Sequence, residues 1–107
     1  MTDEQLLDAL EQRTLNPADF GHRGHVCAAF AALSADPFGG AGRFATAIRE
    51  YATSLGAAAK DDEALTSFWV HIVGVAMTLH PSARDADELI RLHPALLQRH
   101  LRERLAH

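Results

Sequence analysis

One cysteine, Cys27, is all the thiol chemistry this sequence has, which excludes an intramolecular disulfide and any multi-cysteine zinc site. Lysine is nearly missing as well. Lys60 stands alone beside nine arginines, and 14 acidic residues against 10 basic ones leave a net charge of −4. Without a basic surplus the chain has little to neutralise a phosphate backbone, which argues against general nucleic-acid binding. No run approaches the ~18 to 20 apolar residues that cross a bilayer. The acidic start Met-Thr-Asp-Glu is unlike a signal peptide. The expectation is a cytoplasmic protein that engages neither membrane nor nucleic acid. Strand-like alternation is absent, and so are a Gly-rich phosphate loop and a nucleophilic serine elbow. The repeated Glu-x-x-His pairs of di-iron bundles are missing too.

What remains is ordinary globular material. In 107 residues, 48% are hydrophobic and 22% charged, enough for one domain (1–107) with one modest core. The arginine bias and twenty alanines read as the codon usage of a GC-rich bacterial genome. Seven histidines are an excess that matters, because imidazole titrates near neutrality and ligates transition metals.

Helical periodicity runs through the chain and makes the fold class all-α, a bundle of five to six helices. Thr2 to Gln5 form a capping box ahead of Leu6, Leu7 and Leu10, in a helix that fades near Thr14. Asn16-Pro17 starts a short turn through Phe20. His22 to about Ala35 is helical, with Val26, Ala29, Phe30 and Leu33 at buried spacings. Asp36 to Gly40 is a loop, and about Ala41 to Leu55 a third long helix, with Gly56 placed as a left-handed cap. After a linker over 57–61, Asp61 or Asp62 caps a helix over about 62–80. Between Phe68 and Leu79 only His71 and Thr78 are polar, so this helix is expected at the centre of the bundle. Pro81 stops it. A short helix over about 84–92 and a last one from Ala95 to about Leu105 complete the chain, the latter setting Leu97, Leu101 and Leu105 against Arg99, Arg102 and Arg104.

The segment Phe20-Gly-His-Arg-Gly-His-Val26 carries the strongest chemical signal. His22 and His25 are spaced to project on roughly one side of a helix start. That suits two imidazoles on one metal, or an acid and a base flanking a substrate; the plain alternative is two rings that hydrogen-bond locally. Glu63 and Thr66 share a face at the mouth of the apolar helix. A carboxylate with two histidines is the ligand set of many zinc and non-haem iron sites. Asp61 and Asp62 also fit as first-turn residues that meet the helix dipole. His71 reads as a core histidine or a third imidazole. Cys27, among Val26, Ala28 and Ala29, reads as an inert thiol.

Phe20-x-His22-x-x-His25-Val26 with Ala28, followed by Glu63-x-x-Thr66-x-Phe68-Trp69, resembles a family of small uncharacterised bacterial all-helical proteins. That family's pattern sets a Phe-x-His-x-x-His-Val helix ahead of a Tyr-His-Glu-Thr-x-Thr segment. The likeness covers about residues 15 to 100. It implies that His22, His25, Glu63 and Thr66 belong to one site. The chain departs from the pattern where Asp61 and Asp62 replace Tyr-His, so either Asp62 would serve as an oxygen ligand there or the site would be lost in this chain.

Two functions follow as expectations. The first is a small enzyme with His22 and His25 as metal ligands or acid and base, Glu63 and Asp62 as carboxylate partners, and Thr66 as an orienting hydroxyl. Its cofactor would be one divalent transition metal, zinc or iron. Its reaction would be hydrolysis, isomerisation, cyclisation or dehydration of a small metabolite. The second is a non-catalytic helical module that holds a ligand, pairs with itself or docks on a partner protein. A helix-turn-helix regulator stands behind both, because the chain is acidic and lacks an Arg-rich reading helix.

Overall fold

Thr2 begins the first helix as its pattern requires. Its hydroxyl accepts the Gln5 amide at 3.1 Å while the Gln5 side chain accepts the Thr2 amide at 2.8 Å. In this computed structural model, which describes residues 1–57 and 63–98, the helices are α1 (Asp3–Glu11), α2 (His22–Ala35), α3 (Gly40–Ser54), α4 (Glu63–Leu79) and α5 (Ala86–Leu92). Single 3-10 turns cover Pro17–Asp19 and Pro94–Leu97. The architecture is all-α, and one hydrophobic core unites the helices.

α1 and α3 end in the same way. Beyond α1, Arg13 takes φ 60°, with its amide on the Leu10 carbonyl and the Thr14 amide on the Ala9 carbonyl. Beyond α3, Gly56 takes φ 69°, with its amide on Thr53 and the Ala57 amide on Ala52. Both are left-handed closures of the kind that favours glycine, and only the second has one. Gly40 serves a different need. α3 begins so close to α2 that a Cβ there would collide with the Ala32 carbonyl.

The centre belongs to α2, which corrects the expectation for the apolar helix over about 62–80. α2 touches α1, α3, α4, α5 and the final 3-10 turn, and Val26, Ala28, Ala29, Phe30, Ala31 and Ala32 are all buried along it. Alanines let neighbouring helices approach from every side, which bulky residues prevent. α4 buries Trp69, Val70, Val73 and Ala76 but leaves Leu65, Val75 and Leu79 exposed.

Polar contacts tie the periphery together. The buried Tyr51 hydroxyl donates to the Leu15 carbonyl at 2.8 Å. The Ala86 amide, at the start of α5, donates to the Asp3 carboxylate at 2.7 Å. Arg43 on α3 grips Glu11 on α1 with two hydrogen bonds, 2.8 and 2.7 Å long. The last helix expected from Ala95 begins instead as the 3-10 turn Pro94–Leu97; its continuation, with Leu101 and Leu105, lies outside the described residues. The capping role expected of Asp61 or Asp62 also falls outside them. No helix among the described residues is long and apolar enough to cross a membrane.

Candidate functional site

Gly21 begins α2 without a side-chain cap, and His22 and His25 stand in the first turn. His22 Nε2 lies 2.7 Å from the Leu96 carbonyl oxygen, and His25 Nδ1 lies 2.8 Å from that of Gly21. A carbonyl only accepts, so both ring nitrogens carry the proton. The other nitrogens, Nδ1 of His22 and Nε2 of His25, hold lone pairs when the rings are neutral.

The two rings have different surroundings. His22 meets Trp69 edge-on, with centroids 4.4 Å apart, and Trp69 in turn meets Phe68 at 5.4 Å. His25 stacks on Phe20 at 4.1 Å, and Phe20 meets Tyr51 edge-on. Burial pushes the His25 imidazole below its ordinary value of 6.5, against the Gly21 hydrogen bond and with a small contribution from the nearby His22 charge. The pair therefore spans two aromatic environments rather than lining one pocket.

Glu63 is engaged elsewhere. Its carboxylate is 3.3 Å from the Arg49 guanidinium on α3, and both side chains are largely exposed. Thr66 borders a small cavity of about 180 Å³ with Arg49, Glu63 and Ser67. The spacing argument thus brings Glu63 and Thr66 together beside Arg49, while His22 and His25 find their partners elsewhere. Asp62 lies outside the described residues. Among those residues no group of three His, Cys, Asp or Glu side chains is placed to hold a metal ion.

A groove of about 610 Å³ lies between α3 and α4, lined on its inner side by Leu33 of α2. α3 contributes Ala41, Gly42 and Ala45, residues too small to fill the space. Opposite them, Val70 and Val75 of α4 supply apolar wall. Ser67, His71, Gly74 and Thr78 recur at helical spacing along the same side of α4, joined by Thr66. His71 is exposed on this wall, so it is neither core nor part of a His22–His25 cluster. The Thr78 hydroxyl donates to the Gly74 carbonyl at 3.0 Å, which leaves its oxygen able to accept. The spacing of titratable residues does not disclose this groove. Its signal was there in two runs of small residues, Ala41-Gly42 with Ala45 and Ser67 with Gly74, which a search for titratable groups passes over.

Cys27 is half-buried beside Asp3. Burial, reinforced by that carboxylate, pushes its thiol up to about 12. Nucleophilic use of this sulfur is thereby disfavoured. No protein-family model, curated protein or solved structure matches the chain.

Proposed function

We propose that this protein is a small cytoplasmic helical binding module, and that the α3–α4 groove holds a small, mainly apolar molecule bearing one or two hydrogen-bonding groups. The observation that carries the reading is the groove's construction. Its volume of about 610 Å³ lies within the ~300 to 1,000 Å³ of small-molecule sites. Its walls are apolar, and the polar groups that face it, Thr66, Ser67, His71 and Thr78, come from one helix. An apolar ring system would lie against Leu33, Ala45 and Val70. Its polar end would be fixed by the hydroxyls and the His71 imidazole.

The test is a titration with 1-anilinonaphthalene-8-sulfonate, which joins an apolar ring system to one charge. Saturable fluorescence enhancement by the native chain, abolished in Ala45→Phe with helicity unchanged, supports the reading. Enhancement that is equal in the variant, or absent in both, rejects it.

A second reading has its own observation. Each of His22 and His25 donates one ring N–H to a backbone carbonyl and keeps the other nitrogen bare. Histidines that ligate metals or act as bases are often oriented in this way. This supports the acid–base or zinc- or iron-binding enzyme of small metabolites that the spacing of the two histidines suggests, with Glu63 and Thr66 set apart beside Arg49. Elemental analysis of the native chain beside His22→Ala/His25→Ala separates the two readings. Near-stoichiometric metal lost in the variant favours the enzyme.

A further inference from the structure

α4 is apolar on two sides, and the bundle covers one fully and the other only in part. Trp69, Val70, Val73 and Ala76 are buried in the core. Roughly a third of a turn around the helix lies a second series, Leu65, Phe68, Ile72, Val75 and Leu79, whose spacing alternates strictly between three and four residues. That alternation is the seam of a two-helix coiled coil, where each side chain enters a gap on a facing helix. Here the seam runs the length of α4, with Ile72 packed against the core and Phe68 against Trp69 at its inner edge and the other three side chains exposed. Leu65 is 38%, Val75 42% and Leu79 62% exposed, and Phe68 and Ile72 are half-buried.

We infer that this seam pairs with the same seam of a second copy of the chain, forming a two-fold dimer through α4. Three observations single out a second copy. A strict three-four stripe is self-complementary, because an identical helix presents the same knobs and gaps across a two-fold axis. From Ala64 to Leu79 the helix carries no Asp, Glu, Lys or Arg, so two copies of an acidic chain meet where neither is charged. The contact is also long enough. Fifteen residues make a seam of ~22 Å, and two helices joined over that length bury roughly 900 Å², the size of a weak, transient contact rather than a permanent one.

Val75 belongs to both the seam and the groove wall. A second copy therefore stands at the groove's mouth and narrows it. The dimer does not depend on the groove having a ligand.

Sedimentation equilibrium of the full chain from about 1 µM to 1 mM tests the inference, beside Val75→Glu/Leu79→Glu and the conservative Leu79→Met. These positions are exposed in the single chain, so the helical circular dichroism of all three proteins stays native. The expected result is a mass twice the chain's 11.6 kDa at the upper concentrations. Leu79→Met retains it, and the double glutamate variant weakens association by about 100-fold or more, because charges enter an apolar contact. A native chain that stays monomeric throughout overturns the inference. A dimer that survives both glutamates overturns it too.

Discussion

His22 and Leu96, 74 residues apart in the chain, are joined by one hydrogen bond of 2.7 Å from the imidazole Nε2 to the carbonyl oxygen. Leu96 itself is fully buried. The bond fastens the first turn of the central helix to the last described turn of the fold. Replacement by alanine removes the donor, leaves the carbonyl without it and opens a gap beside Trp69. His22→Ala is expected to lower unfolding free energy by about 1 to 2 kcal/mol. Urea denaturation measures the loss, and amide exchange should quicken first over residues 94–97.

His25 gives stability a dependence on pH. Burial holds its imidazole below the ordinary 6.5 in the folded protein. The unfolded chain therefore binds the proton more tightly, and stability rises with pH where the two forms differ. The contribution is complete above about pH 6.5 and declines as pH falls from there toward the folded value. His25→Phe should flatten that part of the curve. A set of urea midpoints between pH 5 and 8 is the measurement.

Glu11 adds a second acid-sensitive segment. The hydrogen bonds from Arg43 outweigh burial and hold its carboxyl below 4.5 in the fold. Stability from this pair is present above that value and is lost as pH falls through the folded one. Both groups are partly exposed, so Arg43→Ala should cost only about 0.5 to 1 kcal/mol at neutral pH, and less in high salt.

Arg13 and Gly56 occupy equivalent places in two helix closures but differ in what the backbone asks of them. A side chain in the left-handed region costs about 1 kcal/mol. Arg13→Gly should therefore raise stability by several tenths to 1 kcal/mol, and Gly56→Ala should lower it by about 1 kcal/mol. Thermal melts of the two variants check both signs.

Those two closures show how much of the fold the sequence discloses. Gly56 announces a left-handed cap because glycine is the residue that fits one; Arg13 adopts the same geometry with no such mark, so α1 reads only as fading near Thr14. The bounds of α2, α3 and α5 follow from apolar spacing and caps to within a residue or two. The order of burial does not. Hydropathy favours α4 as the centre, but close approach from all sides favours the alanines of α2, a property of packing that no hydropathy count contains. The candidate site divides in the same way. Spacing pairs His22 with His25, whereas the ring directions depend on Phe20, Trp69 and Leu96, two of which are contributed from far along the chain. The groove is a space between helices, marked in the sequence only by small residues such as Ala41, Gly42, Ala45 and Gly74, which do not say by themselves that they face one another.

Cys27 should be nearly unreactive. With its thiol pushed up to about 12, only roughly one molecule in ten thousand holds a thiolate at pH 8. Labelling with iodoacetamide at that pH should be slower than for a free thiol by more than 100-fold, and unfolding in urea should restore the ordinary rate.

The central claim is that the α3–α4 groove is the place where this protein binds. Amide spectra of nitrogen-15-labelled protein, recorded during titration with 1-anilinonaphthalene-8-sulfonate, test it most directly. Saturable shifts concentrated at Ala41, Ala45, Ser67, His71 and Gly74 are the predicted result. Shifts gathered instead at His22, His25 and Trp69, or no saturable shifts at all, contradict it.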